Sequence, residues 1–205
     1  MRIESIKPGK RDKEKLVIRT ECGKYISAHI DDAYTLKVGD EISEGFAAEL
    51  CDKYDEQRIK QSAAKSLAHH SLSKSALSKK LREKGFSEED SEKTADWFEE
   101  KGFIDDEAYA RTVADYYKRR GYGKTKVKNE FFRRGVPKEI ADDVIGGLGG
   151  SENEISALIR KKLAGKELTD DIKRKLVAFL LRRGFEYDEI RTAMNEMRID
   201  TEDMV

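Results

Sequence analysis

YARTVADYYKRRGYGKTKVKNEFFRRGV, residues 109–136, carries an apolar seam at helical spacing and then the densest cationic run in the chain. Tyr109, Val113 and Tyr117 recur every four residues, as do Val127 and Phe131 beyond Gly121-Tyr122-Gly123. That pattern predicts two helices joined by a glycine turn with Tyr122 at its tip. Between Lys118 and Arg134 eight Lys/Arg stand against one acid, Glu130, a charge of +7 over 17 residues. The whole chain balances 41 Lys/Arg with 41 Asp/Glu, so the remainder carries the compensating acid. Seven acids against Arg191 and Arg198 between Phe185 and Val205 supply part of it.

The same apolar pattern recurs on either side with less of the charge. Three glycines align it: Gly85 in LREKGF, Gly135 in FFRRGV and Gly184 in LLRRGF. Four residues before each stands Leu81, Phe131 or Leu180, and eight before stands Leu77, Val127 or Leu176. One residue after stands Phe86, Val136 or Phe185. Ten after stands Ala95, Ile145 or Met194, and thirteen after stands Phe98, Leu148 or Met197. The spacings of 50 and 49 residues are those of stacked helical repeats. Each glycine supplies the left-handed residue that ends a helix, and Lys84, Arg133-Arg134 or Arg182-Arg183 suits the negative end of its dipole. The apolar residue past the glycine folds back. Ser87, Pro137 or Glu186 then opens the next helix, whose stripe is the +10/+13 pair. An earlier helix in each unit is marked by Ile59/Ala63, by Tyr109/Val113/Tyr117 and, less regularly, by Ile155/Leu158/Ile159/Leu163. No such unit buries its faces alone, so neighbours must stack.

Upstream the period is different. Arg2–Ile6, Lys15–Thr20 and Lys24–Ile30 alternate and are rich in β-branched residues, the last two flanking a Glu21-Cys22-Gly23 turn. Ser43 then caps a helical pattern through Phe46, Ala47, Leu50, Cys51 and Tyr54 to about His69. It reads as one connecting helix or as two with a kink near Asp52–Glu56. The expected fold class is mainly α, a small N-terminal antiparallel β element followed by tandem three-helix repeats in an elongated, curved array. The expected divisions are the β element over 1–42, a connecting helix over 43–57, repeats over 58–102, 103–148 and 149–198, and an acidic tail over 199–205.

Composition agrees with thin layers. Hydrophobic residues are 38% and charged residues 40% of 205, poor for one thick core and suited to helices that each bury one stripe. No run of about 18 apolar residues predicts a membrane span. MRIESIKPGKRDKEK at the start lacks the apolar region of a secretory signal, so a cytoplasmic protein with Cys22 and Cys51 as reduced thiols is expected.

Little of the sequence points to catalysis. GYGKTK at Gly121–Lys126 contains a Gly-Lys-Thr, but a phosphate loop needs a glycine where Lys118 stands and a strand where this chain has helix. His29, His69 and His70 lack metal-ligand spacing and read as solvated surface. Glu88-Glu89-Asp90 and Asp105-Asp106-Glu107 sit at helix starts, where carboxylates favour the dipole, Asp105 as a cap. No nucleophilic triad assembles, and no enzyme, metal or cofactor is expected.

The cationic run has a plain reading as a solvated face. Against it, the aligned windows carry only +4 (Ala68–Lys84) and +2 (Glu167–Arg183). The excess points to nucleic-acid phosphates or an acidic protein, met by Lys118, Arg119, Arg120, Lys124, Lys126 and Lys128 with Tyr122 at the turn. Arg133, Arg134, Arg182 and Arg183 are secondary candidates, equally suited to capping their own helices. Without a groove-reading motif, nucleic-acid binding should be weak and independent of sequence.

These residues resemble the RecX family of recombination regulators. The resemblance covers about residues 58–198 and is most specific where Phe103-Ile104-Asp105-Asp106, Tyr109-Ala110 and the basic turn lead into Phe131–Gly135. A β-rich N-terminal extension is similar to that of some members. Where the family often has Gly-Pro in the basic turn, this chain has Gly123-Lys124. The resemblance implies a non-enzymatic modulator of the RecA recombinase, acting in DNA repair, recombination and the SOS response. It would bind the RecA–DNA filament and depress its ATP hydrolysis and strand exchange, as a monomer, with weak contact to single- or double-stranded DNA and none to membrane. The alternative is a free-standing, sequence-independent DNA-binding helical-repeat protein.

Overall fold

The computed structural model describes residues 1–10, 12–164, 169–197 and 199. They divide into two compact units, one of Met1–His70 with Ser78–Thr94, the other of Ser71–Leu77 with the residues from Ala95 onward.

In the first unit β1 (Ile3–Pro8), β2 (Lys15–Thr20) and β3 (Tyr25–His29) form an antiparallel sheet in that order. Ile18 pairs with Ile26 across β2 and β3, and both turn inward beside Ile3, Ala28 and Ile42. Thr20 fixes the hairpin: its buried hydroxyl accepts from Lys24 N at 3.1 Å, while Gly23 takes φ 81°. Four strand limits differ from expectation by one or two residues, β1 starting at Ile3 rather than Arg2 and β3 at Tyr25 rather than Lys24. β1 runs on to Pro8, and β3 stops at His29 rather than Ile30, because His29 Nδ1 accepts from Asp31 N at 3.3 Å and caps the short helix α1 (Ile30–Ala33). His29 is therefore a half-buried cap where solvated surface was expected; His69 and His70 are exposed.

α2 (Glu44–His69) begins at Ser43, whose hydroxyl accepts from Phe46 N at 3.0 Å. Its 26 residues pass unbroken through Asp52–Glu56, so the single-helix reading holds. The first half lays Ala47 and Leu50 on the sheet core. The second half buries Ile59 and Ala63, and Lys84 Nζ donates to the hydroxyls of Ser62 and Ser66 at 2.9 Å each.

The remaining helices are α3 (Lys74–Glu83), α4 (Glu88–Glu100), α5 (Asp106–Arg119), α6 (Lys124–Arg134), α7 (Lys138–Gly146), α8 (Glu152–Leu163), α9 (Asp170–Arg182) and α10 (Tyr187–Glu196). α3, α6 and α9 end alike. Gly85, Gly135 and Gly184 take φ of 92°, 68° and 87°, and the next amide returns to the carbonyl five residues back, as Val136 N does to Phe131 O at 3.0 Å. The apolar columns before them, Leu77, Val127, Leu176, Leu81, Phe131 and Leu180, are each at most 1% exposed.

Two cores fill the second unit. Around Phe131 pack Ala110, Val113, Ala114, Val127, Val136, Ala141 and Val144; around Leu180 pack Ile155, Ile159, Leu176, Phe185, Ile190 and Met194. The expected stripes shift in two units: Met197, just past the end of α10, is only half-buried, and the change on α7 is larger. Ile145 and Leu148 are only half-buried, and Ala141 and Val144 take the inward places, because α7 ends at Gly146 before the +13 position. The expected acidic tail, apart from Ile199, lies outside the described residues, as do Arg198 and the Glu167 of the third charge window.

Candidate functional site

The turn between α5 and α6 is held by packing rather than left in solvent. Gly121 takes φ 70°, and Tyr122 N returns to Tyr117 O at 3.1 Å, with the two rings edge-on at 5.5 Å. Arg183, at the end of α9, closes over it. Its Nη1 donates to the carbonyls of Arg120 and Gly121 at 2.8 and 2.9 Å, and its guanidinium lies over Tyr122 at 5.1 Å and Phe179 at 4.9 Å. Gly123 N donates to Arg183 O at 2.9 Å, and Thr125 N to Gly184 O at 3.1 Å. Tyr122 is half-buried, so the tip expected to meet a partner is docked on α9.

Glu130, the one acid of the cationic run, faces inward at 6% exposure. Arg133 Nη2 reaches its Oε2 at 2.6 Å, Arg134 Nε at 3.4 Å, and Lys126 Nζ its Oε1 at 3.5 Å. Burial works against the charged carboxyl, but the hydrogen bonds from Arg133 and Tyr117 and the charges of Arg133 and Lys126 hold it below the usual carboxylate range. Arg134 Nη1 also donates to Tyr109 Oη at 3.1 Å. Arg134 through Tyr109, and Glu130 through Tyr117, tie α6 to α5, whereas Arg133 and Lys126 pair within their own helix. Lys118 is likewise engaged, donating to Leu148 O at 3.1 Å with Glu154 at 3.5 Å.

The other candidates face solvent. Arg119 and Arg182 are exposed; Arg120 is exposed but lies over the Tyr116 ring at 5.0 Å and bonds its hydroxyl. Lys128 is exposed 3.6 Å from Asp142, and Lys124 is half-exposed. Lys118, Lys124, Tyr122, Gly149, Gly150 and Ser151 contribute to a shallow depression that Glu154 also lines, so its charge is mixed. Glu130 is buried, so the outer face of α6 exposes cations and no carboxylate, although Arg133 and Lys126 reach that acid from the surface.

Two features were missed at the level of sequence. Asp106, expected only as a dipole partner, is buried and accepts from Lys74 N at 2.9 Å; burial, above all, pushes its carboxyl up. Phe132, near the end of α6 and beside Arg133, is 88% exposed. The second was legible: Phe131 belongs to the inward column, and the next residue on a helix lies about 100° round from it. Among the described residues no group of three His, Cys, Asp or Glu side chains is placed to hold a metal ion, and no helix is long and apolar enough to cross a membrane.

Comparison with known proteins places the chain among relatives. Residues 105–145 match the family description "RecX, second three-helix domain" and residues 152–194 match "RecX, third three-helix domain". A regulatory protein RecX of Clostridium botulinum is 28% identical over 204 residues, covering 95% of each chain. That of Caldanaerobacter subterraneus is 30% identical over 68% of this chain and 70% of its own length; that of Chlorobium limicola is 34% identical over 66% and 86%. A crystal structure of regulatory protein RecX superposes with a TM-score of 0.68 at 20% identity over 95% of this chain and 98% of that one, a likeness of fold.

Proposed function

The chain belongs to the RecX family of regulatory proteins, and from that premise we propose that it is a non-enzymatic inhibitor of a RecA-type recombinase. In this reading it binds the recombinase–DNA filament in the cytoplasm as a monomer and depresses ATP hydrolysis and strand exchange. It takes residues 58–102 as a first three-helix unit preceding those at 103–148 and 149–198. The observation that carries it is the outward cationic face of α6 and the end of α5, where Arg119, Arg120, Lys124 and Lys128 remain toward solvent while the one acid of the run is buried. Such a face suits DNA phosphates or an acidic protein surface. Arg134 and Arg183 act chiefly as internal clamps, Arg133 pairs with Glu130 of its own helix but stays exposed, and Arg182 is the exposed cation of α9.

The test is a titration of this chain into DNA-dependent ATP hydrolysis by a RecA-type recombinase. A fall at substoichiometric amounts that excess single-stranded DNA does not reverse is expected. No effect, alongside salt-sensitive DNA binding, would favour a free-standing DNA-binding protein. Arg119→Glu with Lys124→Glu should weaken binding and cut the salt slope by about two, at a Tm within about 2 °C of the parent. An unchanged slope would remove these two residues from the interface.

A further inference from the structure

Phe132 is the most exposed of the large apolar side chains among the described residues, at 88%. A single exposed apolar residue is ordinary; its setting here is not. On α6 its neighbours along the outer face are Lys128 and Asn129 one turn before, Thr125 two turns before, and Arg133 beside it, all exposed. The acid of that helix, Glu130, is on the opposite side and buried. A flat ring thus stands in a polar collar that carries positive charge, with the one carboxylate of its helix buried beneath and held by Arg133 at 2.6 Å. An interface core for a protein would be poor in charge and would continue into further apolar side chains. Here the next apolar positions of α6, Val127 and Phe131, are in the core. The arrangement matches the chemistry of an unpaired nucleobase, whose π face takes an aromatic ring while its phosphates take the cations.

We infer that Phe132 is a base-stacking residue, receiving an unpaired base of a single-stranded nucleic acid whose phosphates lie along Lys128 and Arg133. The inference rests on the reading that this cationic face meets DNA, and adds that it distinguishes single strands from duplex. In a duplex the base faces are occupied by their neighbours, so the ring gains nothing there.

Fluorescence anisotropy with the full chain tests it, using a labelled oligothymidylate of about 25 nucleotides and a duplex of equal length at two salt concentrations. Phe132→Ala is expected to weaken binding to the single strand about tenfold with the salt slope unchanged, and to the duplex by less than about twofold. Phe132→Tyr, which keeps a ring, should bind the single strand within about twofold of the parent. Lys128→Ala should weaken both and lower the slope by about one. Equal weakening for strand and duplex, or no weakening for the strand, overturns the inference, as does a parent chain that binds neither. Recombinase ATPase measured on the same samples separates the two readings. Inhibition that survives while the strand preference fails to depend on Phe132 removes the stacking role alone. A Phe132-dependent strand preference without inhibition removes the regulator alone. Loss of inhibition in Phe132→Ala at unchanged strand affinity puts the ring against protein and overturns the stacking role.

Discussion

The second unit contains two joints of the same design made from different atoms. Ser73 and Gly123 stand 50 residues apart, each at the start of a glycine-ended helix, and Arg134 and Arg183 stand 49 apart at the ends of the next ones. At the first joint Ser73 Oγ donates to Arg134 O at 2.5 Å. At the second Gly123 N donates to Arg183 O at 2.9 Å. A side chain bridges the first, and a Cβ on Gly135 would stand 2.9 Å from the hydroxyl of Ser75, which can rotate away, and 3.0 Å from its Cβ, which must shift slightly. The second is backbone on backbone: a Cβ on Gly184 would stand 2.4 Å from Lys126 N, and one on Gly123 2.3 Å from Gly184 O. The lesson is that a repeat geometry survives a change of chemistry, while tolerance to substitution follows whether the opposing atom can move.

That comparison is open to direct attack. The largest effect is expected for Gly184→Ala, which adds left-handed strain to a backbone clash and should cost roughly 3–5 kcal/mol. Thermal melting within about 2 °C of the parent would mean the second joint is not closed in solution. Next comes Glu130→Gln, which leaves Arg133 and Arg134 without their carboxylate and should cost about 1–3 kcal/mol at neutral pH. The sign with pH follows from its lowered pKa. The folded state holds the charged form better than the unfolded chain does, so this stabilisation is complete above the ordinary carboxylate value. It is lost as pH falls through the depressed one. The gap between parent and Glu130→Gln in urea unfolding should therefore narrow with acidification, and a gap that widens would contradict the charged network. The smallest effect is expected for Gly85→Ala, where φ is 92° but no atom stands within 4 Å of the added carbon. It should cost about 1–2 kcal/mol, with Gly135→Ala slightly more because Ser75 must shift. If Gly85→Ala proved as damaging as Gly184→Ala, strain alone would explain both, and the difference between joints would carry no weight.

Much of the fold was legible because its signals are local. Leu81, Phe131 and Leu180 four residues before a glycine, and the apolar residue just after it, report helix ends that need no knowledge of distant partners. The strand limits near Pro8 and His29 were missed by one or two residues, since a histidine serving as a cap is not a frequent signal. Ile145 and Leu148 were placed inward by alignment with longer helices, and the glycines that shorten α7 moved the stripe.

The candidate site divides in the same way. Sequence alone determined that cations concentrate between Lys118 and Arg134, that two helices meet at Gly121-Tyr122-Gly123, and that Phe131 is core, because charge count, glycine turns and helical period are properties of neighbouring residues. Only tertiary structure decided which of those cations are free. Lys118 meets a carbonyl 30 residues away, Arg134 a tyrosine 25 residues back, and Arg183 the carbonyls of a turn more than 60 residues back. Long flexible side chains pair with whatever acceptor packing brings within reach, and that choice leaves no periodic trace in the chain.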